Sequence, residues 1–178
     1  MPEELIDICD ENNELLGVVK PKKEAQRDGS WHRLAHICMH NSEGKILLQL
    51  RSKDKSWYPD VWDISSAGHV AAGEEPIHGA LREAREELGL EIEKKDLVFI
   101  GIKKQETVYN DLIENEFAYV YLYKFDGDIS TLTFHDGEVQ DARLVSLADM
   151  EEELKNTPDR YVARGVYWQE VIDEVRKK

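Results

Sequence analysis

The sequence predicts a mixed α/β fold, and three observations carry the prediction. Short apolar runs of strand length come first, a segment with helical period interrupts them, and further strands and a last helix follow. The chain is 178 residues long, enough to bury a real core and short for two independent ones. It is therefore read as a single domain over 1–178, with no internal repeat, low-complexity tract or linker.

Leu5–Cys9 and Leu15–Val19 are short apolar runs separated by Asp10-Glu11-Asn12-Asn13, the pattern of a hairpin. Lys20 to Gly29 is polar and holds one Pro, so residues 1–30 are expected to be an N-terminal hairpin and loop. Leu34–Met39 and Ile46–Leu50 flank Asn41-Ser42-Glu43-Gly44, a second hairpin with good turn chemistry. Arg51 to Asp60 is charged and aromatic with Pro59, which predicts an irregular surface loop, and Val61–Ser65 predicts a short strand running into Ala67-Gly68.

From Ile77 the period changes. Ile77, Ala80, Leu81, Ala84 and Leu88 recur at helical spacing, Pro76 suits a first turn, and Gly89 sits where a helix stops. Leu97–Ile102 and Phe117–Tyr123 then predict strands, and Glu138–Val145 another after Asp136-Gly137. Ser146 and Asp149 can open a short helix. Beyond Thr157-Pro158, the stripe Trp168, Val171, Ile172 and Val175 predicts a C-terminal helix within 158–178.

The totals exclude several classes of partner. A hydrophobic fraction of 41% and a charged fraction of 34% suit a folded, soluble domain. A formal net charge of −14 opposes a nucleic-acid polymer or an anionic membrane surface. An anionic small substrate would need local Arg and Lys residues, or cations, to reverse the field. Cys9 and Cys38 are the only cysteines, too few for a disulfide framework, so two reduced thiols in a cytoplasmic protein are expected. The start, Met1-Pro2-Glu3-Glu4, lacks the basic-then-apolar pattern of a secretory signal, and no apolar run reaches membrane-spanning length.

The chemistry concentrates between Gly68 and Leu90. At ~100° per residue, Glu83, Glu86 and Glu87 fall within roughly 100° on one helix face, well around the cylinder from Leu81, Ala84 and Leu88. Three such carboxylates repel one another and tolerate their closeness when cations lie between them; hard oxygen ligands of this kind suit Mg²⁺ or Mn²⁺. The rival reading is a solvated acidic face paired with Arg82 and Arg85. The residues upstream decide between them. Gly68, five residues, Glu74, seven residues, then Arg82-Glu83-Ala84-Arg85-Glu86-Glu87-Leu88-Gly89-Leu90 is a pattern that chance produces roughly once in 10⁵.

That pattern resembles the Nudix box at every defined position. The resemblance implies an α/β/α sandwich with a central mixed β-sheet and a loop–helix–loop catalytic box spanning 68–90. It implies a Mg²⁺-dependent hydrolase (Mn²⁺ also serving) that cleaves a phosphoanhydride bond in a nucleoside diphosphate-type small molecule. Glu83, Glu86 and Glu87 would be metal ligands joined by the main-chain carbonyl of Ala67. Arg82 would orient a box glutamate, and Glu74 would support the loop or reach metal through water.

Further stretches resemble the Nudix branch related to isopentenyl-diphosphate isomerase. They are His32-Arg33, Lys45 to Arg51, Lys55, Tyr58 to Asp63, Ala67-Gly68-His69 and Glu114-Asn115-Glu116, together covering roughly 30–125. The isomerases use a cysteine immediately before the Gly-His pair, where this chain has Ala67, and commonly have a degraded box, which is intact here. The alternatives to hydrolysis are an isomerase-like enzyme and a non-catalytic nucleotide-binding sensor.

Glu116 is the candidate distal carboxylate, as metal ligand or general base. Glu114 would share its face in a strand, and Glu138 is a second candidate for the role. His69 could touch phosphate or an extra metal, or satisfy backbone groups. His32, His36 and His40 share a face if the strand is continuous, a spacing open to zinc and equally to ordinary packing. Arg51, Lys53 and Lys55 are the one basic cluster near the box, suited to a phosphate chain or to a solvated loop. Trp57 and Tyr58 could stack a nucleobase or pack beneath the loop; Trp62 is expected to pack. The substrate side is thus assigned Arg51, Lys53, Lys55, Trp57, His69 and Glu74.

Overall fold

The computed structural model describes residues 3–134 and 137–178; Asp136 of the expected late turn lies outside the described residues. In chain order the elements are β1 (Leu5–Cys9), β2 (Leu15–Pro21), α1 (Lys22–Asp28), β3 (His32–His40), β4 (Lys45–Arg51), β5 (Trp62–Asp63) and β6 (Ser66–His69). They continue with α2 (Pro76–Leu88), β7 (Val98–Tyr109), β8 (Leu112–Lys124), β9 (Val139–Ser146), α3 (Leu147–Asn156) and α4 (Tyr167–Arg176).

β3 is the axis of the sheet. One edge runs parallel to β8 along its whole length, from His32 opposite Glu116 to His40 opposite Lys124. Its other edge is shared by three strands in turn: β1 at His32, β6 from Leu34 to Ile37, and β4 at Met39 and His40. β9 extends β4, and β7 extends β8, both antiparallel.

Alternation along β3 fills two layers. Ala35, Ile37 and Met39 pack with Ala80, Ala84 and Leu88 of α2. Leu34 and Cys38 point the other way, with Val120 and Leu122 of β8, against Trp168, Val171, Ile172 and Val175 of α4 and Met150 of α3. A helix therefore covers each face of a mixed sheet, the α/β/α sandwich that the Nudix resemblance implies. Leu88 and Ile172 are fully buried, each stabilising the fold by about 1.5–3 kcal/mol.

Three expectations are corrected. Lys20 to Gly29 is not a loop throughout: Lys22–Asp28 is a helix that buries Ala25 and Gln26 and ends at Gly29, whose φ of 71° suits glycine. Val61–Ser65 is not one strand. β5 pairs with β4, β6 pairs with β3, and the chain crosses between them through Ile64 and Ser65. There the Ser65 hydroxyl accepts from the Met39 N–H at 2.8 Å. The C-terminal helix begins only at Tyr167; residues 158–160 form a 3-10 turn, and Tyr161 bridges to Trp62. The strands expected at Leu97–Ile102 and Phe117–Tyr123 are longer, because Gln105, Thr107 and Tyr109 continue on the inner face of β7 while Glu106 and Val108 face solvent. Ser146 caps α3 as expected, accepting from the Asp149 N–H.

Candidate active site

A cleft of about 1100 Å³ opens between α1, α2, β7, the loop after β4 and the segment leading into α4. The box forms one wall. On α2, Glu83 and Glu87 are one turn apart and both buried, 8% and 2% exposed; Glu83 lines the cleft, Glu87 sits behind it outside the lining, and Glu86 stands at the rim. Helical spacing puts three acids on one arc; packing against β6 draws two of them inward. Glu87 accepts from the Ser66 hydroxyl at 2.8 Å and the Ala67 N–H at 3.0 Å, with the Gln49 amide 3.4 Å from both oxygens. Burial pushes Glu87 up to about 8, and the Glu83 carboxylate adds to the rise. Burial likewise raises Glu83 to about 7, against the pull of Arg82.

Arg82 organises this wall. It donates to Glu83 at 2.5 Å, to Glu86 at 3.1 Å, to the His69 carbonyl at 2.8 Å and to both oxygens of Glu74 at 3.1 and 2.9 Å. Burial opposes the charge on Arg82 and on Glu74, but their pairing outweighs it, raising Arg82 and lowering Glu74. Glu74 also accepts from the Ala71 N–H and lies outside the cleft lining, so it braces Arg82 rather than facing a substrate.

Deeper in the cleft, four buried side chains converge. His32, His69, Glu114 and Glu116 each offer a ligand atom, all within 4.8 Å of one another. The parallel register sets Glu116 opposite His32, and β6 brings His69 opposite Leu34, stacking its ring on His32 at 5.2 Å. His32 Nδ1 lies 2.8 Å from the Ser30 carbonyl, which can only accept, so Nδ1 donates and Nε2 faces the acids. His32 Nε2 lies 3.3 Å from Glu114 Oε2, whereas His69 Nε2 has no hydrogen-bond partner in the interior. Two imidazoles and two carboxylates gathered with one nitrogen left unpaired form a donor set that fits a cation. Gln26 of α1 donates to Glu114. Burial raises Glu116 to about 8, with Glu114 adding; Glu114 is lowered, because His32 outweighs its burial.

The remaining assignments separate. Arg51 is buried in the lining but spends its donors on the Trp57 and Tyr58 carbonyls, at 2.7 and 3.0 Å, beside Asp63 at 3.5 Å. Lys55 lines the cleft, paired with Glu138. Lys53 is exposed and outside the lining; Lys22 and Lys23 of α1, which no sequence motif marks, are within it. Trp57 lines the cleft against Tyr58 and Tyr109, and Trp62 is buried. The three strand histidines do not converge: His36 is buried 2.9 Å from the Tyr167 hydroxyl, under α4, and His40 lies at the far end of β3. Only His32 joins the cluster. Residue spacing offers no zinc site, and His69 could not have been paired with His32 without knowing the β3–β6 register.

The NUDIX domain profile matches residues 30–165. Nudix hydrolase 3 of Arabidopsis thaliana is 38% identical over 93% of this chain, which spans 22% of that longer protein. A Nudix hydrolase of Clostridium acetobutylicum is 34% identical, covering 93% of this chain and 81% of its own length. Isopentenyl-diphosphate Delta-isomerase 1 of Aromatoleum aromaticum is 33% identical over 97% of this chain and 93% of its own. A crystal structure from Deinococcus radiodurans superposes with a TM-score of 0.70 at 22% identity, covering 98% of each chain. The fold and the box define a phosphate-processing enzyme of the α/β/α class. The chain belongs to the Nudix hydrolase family, in a branch that resembles isopentenyl-diphosphate isomerase.

Proposed function

We propose that this chain is a Mg²⁺-dependent hydrolase that cleaves a phosphoanhydride bond in a nucleoside diphosphate-type small molecule. The observation that carries the reading is the intact box: Glu83 and Glu87 are buried together with their carboxylates raised, and Glu86 stands beside them on the cleft wall. Buried carboxylates that cost stability when charged are retained where a cation compensates them.

Glu83, Glu86 and Glu87, with the Ala67 carbonyl, would hold the ion, and the deep cluster with Glu116 fits a second. A bound divalent cation neutralises diphosphate charge and lowers the pKa of its water. The chain supplies the rest. Arg82 locks Glu83 and Glu86 in place. Lys55 and Lys22 set positive charge where the phosphates enter. Glu116 is buried with its carboxyl raised to about 8; in its ionised form, and free of the second ion, it would take a proton from the attacking water. Trp57 and His69 flank the substrate. Residues 1–178 act as one domain, since the described parts of both termini join a single sheet and its covering layers. Among the described residues no helix is long and apolar enough to cross a membrane, and the free, buried Cys9 and Cys38 suit a cytoplasmic protein.

An isomerase-like reading has two observations in its favour, the deep cluster and the isomerase relative. Against it, Ala67 has no titratable group. Both cysteines are buried outside the cleft lining, their thiols pushed by burial to about 11 and 12. The test is a panel of nucleoside di- and triphosphates, dinucleotides, nucleotide sugars and isopentenyl diphosphate with Mg²⁺. Phosphate release lost in Glu87→Gln supports hydrolysis. Double-bond migration without release overturns it for the isomerase, and tight binding without turnover overturns it for a sensor.

A further inference from the structure

Gln105 of β7 lies directly opposite Glu116 in the β7–β8 register and forms part of the cleft wall. Arg164 donates to its Oε1 at 3.0 Å. A guanidinium has no acceptor, so this bond settles which end of the amide is oxygen. The amide nitrogen is buried and has no hydrogen-bond partner. Arg164 is held in turn: it donates twice to Asp63, at 2.9 and 2.9 Å, and both side chains are almost fully buried. Asp63, Arg164 and Gln105 thus form a fixed relay that ends in a donor waiting for an acceptor.

Beyond Gln105 the same face of β7 carries Thr107 and then Tyr109, since every second residue of a strand shares a side. Tyr109 packs on Tyr58 at 4.3 Å and Trp57 at 5.3 Å. Gln105, Thr107, Trp57 and Tyr58 all line the cleft, and Arg51 pins the backbone carrying the two loop aromatics. This wall runs from a buried donor, past a hydroxyl, to an aromatic platform.

We infer that this wall, on the hydrolase reading above, is the subsite for the group attached to the diphosphate, and that the group is a nucleobase. Gln105 donates to a carbonyl or ring nitrogen of the base, and Trp57 and Tyr58, backed by Tyr109, supply its stacking surface. Gln105 is thereby a specificity-determining residue. A hydrocarbon chain such as an isopentenyl group offers no acceptor and would bury the amide N–H unpaired.

The test compares kcat/KM of wild type, Gln105→Leu and Gln105→Glu on ribonucleoside 5′-diphosphates of the four bases with that on isopentenyl diphosphate. Where the alkyl diphosphate is not turned over, its Ki as a competitor is used. Gln105→Glu keeps the acceptor for Arg164 and loses the donor; its added charge acts on both diphosphates alike, so the ratio reads the donor. The expected result is that wild type favours at least one nucleoside diphosphate, and that both variants lose roughly 10–100-fold on it while the alkyl diphosphate is unaffected. If both variants keep the wild-type ratio, the inference fails and the hydrolase reading stands. If only Gln105→Leu loses it, Gln105 serves Arg164 alone and the inference also fails. A wild type that hydrolyses none of the nucleotides, or prefers the alkyl diphosphate, overturns the reading itself.

Discussion

Gly68 and Glu83 contend for one volume: a Cβ added at Gly68 would lie 2.0 Å from the Glu83 Cδ and 2.2 Å from its Oε1. The Gly68 backbone conformation is ordinary, so the glycine is needed for the space it leaves and not for its dihedral freedom. The box glycine and the box glutamate are therefore one steric unit.

Gly68→Ala is accordingly expected to expel the Glu83 carboxylate from the wall. Turnover under saturating Mg²⁺ should fall by at least about 10²-fold, and urea unfolding should show a loss of about 1–3 kcal/mol from overpacking. A wild-type rate in this variant would remove Glu83 from the site.

Cation binding should be visible without any substrate. Because Glu83 and Glu87 are buried with their charge disfavoured, Mg²⁺ added to metal-free protein should raise the Tm, by the equivalent of about 2.7 kcal/mol at 100 times Kd. In Glu87→Gln the metal-free protein should be no less stable than wild type, and the Mg²⁺-dependent rise should largely vanish. An undiminished rise would place the ion elsewhere.

Arg82 serves four partners with one fork. Arg82→Lys keeps the charge but cannot bridge Glu74, Glu83 and the His69 carbonyl together. The expected result is a drop of roughly 10–100-fold in kcat with little change in KM, since Arg82 acts through the carboxylates. Steady-state kinetics decide this; a change confined to KM would mean that Arg82 contacts substrate directly.

His36, which lies close to the Asp63–Arg164 pair of the cleft wall, supplies a pH test of stability. Burial, aided by Arg164, pushes its imidazole down to about 3 from 6.5, so the folded protein keeps it neutral while the unfolded chain protonates it below 6.5. Its contribution is present above that pH and is lost as pH falls toward 3, at about 1.4 kcal/mol per pH unit. Denaturant unfolding of wild type and His36→Gln at pH 7 and pH 5 should show the steeper acid loss in wild type. Parallel losses would mean that His36 does not titrate differently on folding.

What could be read from the chain was what is local. Gly68, Glu74 and Arg82 at fixed spacing from Glu83 and Glu87 marked the box, because a loop and one helix hold all of them. Strand and helix periods marked the mixed α/β order for the same reason, while the sandwich layering came from the family resemblance. The deep cluster was legible only in fragments: His32, His69, Glu114 and Glu116 were each noticed, but their union depends on which strands pair with β3. A polar stretch with no apolar period hid α1, since only Ala25 and Gln26 of that helix are buried. Lys22 and Lys23 were missed with it. Arg51 looked like a phosphate ligand by composition; its two carbonyl acceptors sit on the loop that follows it.

The parallel alliance of β3 with β8 sets the order in which this protein can become competent. Gln26 and Glu114 meet although 88 positions separate them, and no hairpin links the two strands, so their zippering must await closure of a long chain segment. The α2 wall can assemble from neighbours in sequence, whereas the cleft facing it requires the distant β3–β8 pairing. Recovery of turnover during refolding should therefore lag behind the recovery of helical signal, and it would report completion of the β3–β8 pairing.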